Sequence, residues 1–167
     1  MESITLYWFK KDLRILDNLA LTEACHNTNA AAIYIHDPKI IESQDFSSFH
    51  MDFIRDSLIS LEKYFNSKNS YLNIFYGNPI TVFNKINETY TIKKLIMHHE
   101  TGNFLTNLKN NLISDFCSQN SIELIEYQSN GVVRDLKNRD GWSKLWNSVM
   151  YKPVLKEPDI SKLMKIS

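Results

Sequence analysis

A chain of 167 residues, 43% hydrophobic and 23% charged, is one domain of ordinary globular sequence, long enough to bury a core and too apolar for disorder. Nineteen basic residues balance nineteen acidic ones, so no net field draws the chain to phosphate backbones, and a basic nucleic-acid-binding module is excluded as the default reading. Cys25 and Cys117 stand far apart in no CxxC or Cys/His spacing, which argues against a zinc site and reads as two buried thiols in a reducing compartment.

The amino terminus enters a strand directly, without a basic segment and long apolar run, and no stretch reaches membrane-span length. A cytoplasmic protein with no membrane partner is the expectation. Ile4 to Phe9 reads as a strand, and Asp17 as the cap of an apolar helix running to about His26. Ala31 to His36 is a second apolar run, ending in Asp37-Pro38. Ser47 or Ser48 then opens a long helix whose Ile54, Leu58, Leu61 and Phe65 share one face. Tyr71 to Tyr76 is a third strand, followed by Gly77-Asn78-Pro79, with Asn as cap and Pro at the first helical position.

Ile92 to Met97 makes a fourth strand, and an amphipathic helix carrying Leu105, Leu108, Leu112 and Phe116 follows it. Ile122 to Tyr127 is the fifth strand. Gln128 to Arg139 is a polar connector, Asp140 to Met150 a helix, and the stretch from Lys152, with Pro153 and Pro158, a linker. The boundaries drawn are a domain over 1–150 and a tail over 151–167. Five short strands separated by crossover helices predict an α/β fold with a parallel, doubly wound sheet of Rossmann-like, three-layer type. Ligands in such folds bind beyond the carboxyl ends of the strands, where strand order reverses. The four glycines, Gly77, Gly102, Gly131 and Gly141, form neither GxGxxG nor a P-loop, which excludes the usual dinucleotide and ATPase motifs.

Two clusters fall at that sheet edge. Lys10-Lys11-Asp12-Leu13-Arg14 follows the first strand and reads either as a solvated turn with local ion pairs or as part of a longer ordered motif. His98-His99-Glu100-Thr101-Gly102 follows the fourth. Adjacent strand residues point to opposite faces, which leaves too few ligands on one side for a metal. A ligand contact at Glu100 or His98 and a simple helix-entry turn both remain open. Arg134, Lys137 and Arg139 are interspersed with Asp135 and Asp140, so an interface or solvated loop is favoured over a phosphate site. Trp142 and Trp146, four apart on one helical face, read as packing.

The run Trp8, Phe9, Asp12, Leu13, Arg14, Asp17, Asn18, Ala20 and Leu21 resembles the opening of the DNA photolyase/cryptochrome family, W-F-R-R-D-L-R-x-x-D-N-x-A-L. Lys10 and Lys11 stand where the family has arginines, which loses the bidentate fork. Tyr34 to Pro38, His98 to Gly102 and Asn130 to Trp142 extend the resemblance. It implies the family's amino-terminal α/β antenna domain, without the larger helical domain that holds FAD and meets DNA. On that reading the chain carries no catalytic residue and alone neither repairs thymine dimers nor holds FAD, whereas intact homologues act as deoxyribodipyrimidine photo-lyases. The resemblance further implies a folate (pterin) or deazaflavin chromophore contacted by Lys10, Lys11, Asp12, Tyr34, Asp37, His50, His98 and Glu100, foremost Lys11 and Glu100. The implied partner is the helical FAD-binding domain, in cis or as a separate chain, with DNA reached only through it. A homodimer through the exposed docking face is a further expectation. Two readings of other classes stay open: a nucleotide- or phosphate-binding module on the same scaffold, and a structural domain with a vestigial pocket.

Overall fold

The computed structural model describes residues 1–132 and 138–166. Strands β1 (Glu2–Phe9), β2 (Ala30–His36), β3 (Leu72–Tyr76), β4 (Tyr90–His98) and β5 (Glu123–Tyr127) alternate with helices α1 (Leu19–Cys25), α2 (Pro38–Ile41), α3 (Ser48–Ser67), α4 (Pro79–Asn87) and α5 (Phe104–Gln119), and α6 (Trp142–Met150) follows β5. All strand pairs are parallel, in the order β3-β2-β1-β4-β5. The expected five-stranded, Rossmann-like sheet is therefore present, and its order reverses between β1 and β4.

Burial on both faces explains the apolar strands. One face packs Ile4, Leu6 and Trp8 of β1 against Val82, Phe83 and Ile86 of α4 and Ile113 and Phe116 of α5. The other packs Tyr7 and Phe9 against Ala20 and Leu21 of α1 and Leu58, Leu61 and Phe65 of α3. Each aliphatic or aromatic side chain so buried contributes about 1.5–3 kcal/mol relative to exposure. Among the described residues no helix is long and apolar enough to cross a membrane.

Three local expectations are corrected. The cap of α1 is Asn18, whose side-chain oxygen accepts from the Leu21 amide at 2.8 Å; Asp17 instead adopts left-handed backbone, φ 53°. The buried stripe of α5 is Thr106, Asn110, Ile113 and Cys117 with Phe116, while Leu105, Leu108 and Leu112 face outward. Polar Thr106 and Asn110 hide that stripe in the sequence. Asn110 can go inside because its amide donates to the Glu100 carbonyl at 3.1 Å.

The stretch read as a linker packs back on the domain. Asp17 and Leu155 exchange hydrogen bonds at 3.1 Å, the Leu155 amide meeting the Asp17 carboxylate and the Asp17 amide the Leu155 carbonyl. Tyr64 donates to Glu157 at 2.8 Å. Ile160 and Leu163 are fully buried in the α1/α3 core. Asn73 of β3 donates to the carbonyls of Ala32 and Met164 and accepts from the Ile166 amide, clasping the segment to the sheet. Prolines and the lack of any period conceal these two anchors from a reading by pattern.

A buried polar cluster fixes the loop after β1. The Asp12 carboxylate accepts from the Tyr7 hydroxyl at 2.7 Å and from the Lys10 amide at 2.9 Å, and meets His98 Nδ1 at 2.5 Å. Asn18 in turn donates to the Tyr7 oxygen and to the Arg14 carbonyl, both at 2.8 Å. Arg14 donates through Nε and Nη2 to the Asp17 carbonyl, bracing the left-handed turn. Burial works to raise the Asp12 pKa, but the bonds from His98 and Tyr7, the His98 charge and the Lys10 amide outweigh it and hold the carboxyl below its ordinary value. Burial and the neighbouring Asp12 charge push the Tyr7 hydroxyl well above its ordinary value.

Two outcomes follow from this packing. Leu163→Ala should lower unfolding free energy by about 2–5 kcal/mol, read in urea, as for a core leucine; a wild-type midpoint would show that the segment beyond α6 does not belong to the domain. Because the folded Asp12 carboxyl titrates below the unfolded one, its contribution is complete above roughly pH 4 and is lost as pH falls through the folded value. The stability gap between wild type and Asp12→Ala, about 3 kcal/mol at pH 7, should accordingly narrow in acid; a gap constant from pH 7 to 3 would contradict the network.

Candidate functional site

Parallel register sets the site. Trp8 of β1 pairs with Met97 of β4, so the two strands deliver Lys10 and Glu100 at one level of the sheet edge. A cleft of about 460 Å³ opens there, within the 300–1,000 Å³ range of small-molecule sites. Its walls come from the ends of β1 and β2, from α2 and the loop after it, and from the first turns of α3 and α5. Tyr34, Ile40, Phe46, Phe53, Ile54 and Leu105 make it largely apolar. Asn103, the cap of α5, donates to Asp45 at 2.6 Å and ties the α2–α3 loop to the opposite wall.

The floor is charged. Glu100 is buried, with Lys109 Nζ at 3.3 Å, Lys11 Nζ at 3.4 Å and Lys10 Nζ at 3.8 Å. Lys10 and Lys109 also lie 5.5 and 5.7 Å from the Trp8 ring centroid. Burial lowers the Lys10 pKa to about 8, Glu100 opposing and Lys109 reinforcing the shift. Burial acts to raise the Glu100 pKa, but the charges of Lys109, Lys10 and Lys11 prevail and hold it below the ordinary carboxyl range. Burial, with Glu100 nearby, raises Tyr34 to about 12, so its hydroxyl stays a neutral donor. Three ammonium groups around one carboxylate leave positive charge to spare, beside aromatic walls. Such an arrangement suits a flat ring bearing an anionic group.

The cleft brings together Lys10, Lys11, Tyr34, Asp37, His50 and Glu100 of the expected contacts. Their duties differ. Asp37 caps α2 by accepting from the Lys39 amide at 3.1 Å. His50 is exposed at the start of α3, where Nδ1 accepts from the Ser47 amide at 3.0 Å and leaves the ring's far edge for the cleft. Asp12 and His98 do not line the cleft; each is occupied in the buried cluster with Tyr7, and both border a smaller hollow between β1 and β4. Arg134, Asp135 and Lys137 lie outside the described residues, while Arg139 and Asp140 are exposed before α6. Trp142 and Trp146 pair at 6.2 Å, tilted, on the outer helix α6. Among the described residues no His, Cys, Asp or Glu group fits a metal ion.

Lys109, Trp8 and the aromatics Phe46 and Phe53 escaped sequence reasoning as site residues. Trp8 enters the sequence reading only through the family run, and the structure also places it in the buried core. Lys109 sits beyond any motif, and only the helix register of α5 turns it back toward Glu100.

Residues 5–143 match the family model described as DNA photolyase. The chain is 24% identical over 157 residues to the chloroplastic/mitochondrial cryptochrome DASH of Arabidopsis thaliana, covering 90% of this chain and 25% of that protein. It is 31% identical over 99 residues to cryptochrome-1 of Anopheles gambiae, 54% of this chain and 18% of the relative. The chain thus spans a quarter or less of the length of these curated relatives. Among solved structures, a class III photolyase from Agrobacterium tumefaciens superposes with TM-score 0.78 at 15% identity, over 100% of this chain and 36% of its own. An archaeal photolyase from Sulfolobus tokodaii, solved with two FAD molecules, gives 0.73 at 21% identity, over 95% and 37%. Those superpositions show a shared fold, and the family match over most of the length supplies the rest: the chain belongs to the DNA photolyase family and is its amino-terminal α/β domain.

Proposed function

We propose that this domain holds a light-harvesting antenna chromophore, a folate (pterin) or deazaflavin, in the cleft over the carboxyl ends of β1 and β2. The observation that carries the reading is the pairing of apolar and aromatic walls with a floor of Lys10, Lys11 and Lys109 around Glu100. The ring would lie between Phe46, Phe53 and Tyr34, while the lysines take its anionic arm and Glu100 and the Tyr34 hydroxyl meet ring N–H groups and carbonyls. A flavin deserves the same assay, since two FAD molecules in the Sulfolobus tokodaii photolyase imply a novel light-harvesting cofactor there. Collected energy would pass to an FAD in a helical partner domain, in cis or as a separate chain. That domain would carry DNA contact and repair, in keeping with the balanced charge of this one. The outward Leu108 and Leu112 of α5 supply apolar surface for such a partner or for a second copy.

Purified protein mixed with a folate, a deazaflavin or FAD and then desalted should retain an absorption band between roughly 350 and 500 nm, the range in which such cofactors absorb. Failure to retain any of them would leave a structural domain whose pocket is vestigial. Lys11 is largely exposed, so Lys11→Ala should leave the fold intact and weaken retention about tenfold, a lost charge-assisted contact; unchanged retention would remove it from the site. An anionic arm favours charged Lys10, whose surroundings are Glu100, Lys11, Lys109, Asp12 and Glu126. Affinity should therefore fall as pH rises through about 8, and a flat profile from pH 7 to 9 would place the arm elsewhere.

A further inference from the structure

The smaller hollow, of about 110 Å³, lies at the reversal point of the sheet, between the ends of β1 and β4. Its volume corresponds to three or four waters at about 30 Å³ each, enough for a tetrahedral oxyanion and too little for a ring system. Lys10, Lys11 and Arg14 come from the loop after β1, His99 from the end of β4 and Ser129 from the segment after β5. Two of its lining residues carry a buried nitrogen without a hydrogen-bond partner among the described residues, Lys10 Nζ, which has only the longer Glu100 ion pair at 3.8 Å, and His99 Nε2. Lys10 is more than nine-tenths buried and lines both the cleft and this hollow. The His99 ring belongs to the hollow alone, and its backbone is fixed by the amide bond to the Tyr127 carbonyl at 2.7 Å.

We propose that this hollow is a second binding site, for a small oxyanion such as a phosphate group. The two carboxylates at its edge already have partners and are offset by the cations around them. Asp12 is met by His98, Tyr7 and the Lys10 amide. Glu100 is met by Lys11 and Lys109, with Lys10 further off. Among the described residues that line the hollow, three cations, Lys10, Lys11 and Arg14, thus stand against two carboxylates, and Lys109 adds its charge to Glu100 from the cleft side. Burying a donor without a partner is costly, and an oxyanion would complete the Lys10 ammonium and a His99 ring with its proton on Nε2 at once. Ser129 adds a hydroxyl. The position is the one at which doubly wound sheets take phosphate groups. The site shares Lys10, Lys11 and Glu100 with the cleft, while His99, Arg14 and Ser129 lie outside it and allow the two to be tested apart.

Inorganic phosphate, titrated at constant ionic strength into ¹⁵N-labelled protein, tests this. Saturable amide shifts should appear in residues 10–14, 98–100 and 129, with a Kd of about 1 mM. His99→Ala should weaken binding about tenfold and His99→Gln, which keeps an N–H donor, should recover part of it. Both variants should retain the chromophore band of the wild type, so the two sites fail separately. Linear shifts spread over surface lysines, or full binding by His99→Ala, would overturn the proposal, water then satisfying both nitrogens. FMN and riboflavin distinguish the source of the anion. Phosphate competing with FMN but not with riboflavin would assign the hollow to the phosphate arm of a cleft ligand. Phosphate binding without such competition would assign it to a free anion.

Discussion

The Asp12 carboxylate is the fixed point on which this domain's sheet edge is built. It gathers the Tyr7 hydroxyl, the Lys10 amide and the His98 ring, so one buried side chain joins the end of β1, the loop beyond it and the end of β4. Asn18 extends the cluster to the start of α1 by holding Tyr7, the Arg14 carbonyl and the Leu21 amide. In a low-dielectric interior such a network is rigid only when every member is satisfied. Here it places Lys10, buried, and Lys11, largely exposed, within reach of Glu100. The run of residues that marks the family is thus mostly scaffold, and what it positions is the charge cluster beside it.

That cluster has its own logic. A buried carboxylate is tolerated because ammonium groups surround it, and burial lowers Lys10 no further than about 8, with Glu100 foremost in opposing it. Neither could be buried alone without a large desolvation cost. The surplus of cations then gives the edge of the sheet a local positive field within a chain of zero net charge. Net charge describes the whole surface, and a ligand meets only the part that lines its site.

The five strands, their parallel arrangement and the α3 core face were legible, because two-sided burial writes long apolar runs and α3 keeps a plain helical period. The inner face of α5 was not. Its buried positions include Thr106 and Asn110, and outward leucines offered a more apolar false stripe. Nor was the return of the segment after α6, whose anchors Ile160 and Leu163 sit among prolines and lysines and whose Met164 carbonyl and Ile166 amide are held by Asn73, a polar residue far away in sequence. For the site, strand ends gave the location while backbone geometry decided the partners. The family resemblance implies ligand contacts at Asp12 and His98, but burial turns them toward each other. Lys109 came into view only through the register of a helix whose face had been misread.

A flat ligand entering the cleft would lie beside Trp8, and Trp8 itself can report it. Replacing Trp142 and Trp146 by Phe leaves Trp8 as the sole tryptophan, lining the cleft floor beneath Lys10 and Lys109. Titrating a folate or deazaflavin into that variant should quench its fluorescence saturably, and Phe53→Ala in the same background should shift the curve to higher ligand concentration. Fluorescence that stays constant with every such ligand would contradict the account and leave the cleft as a feature of the scaffold alone.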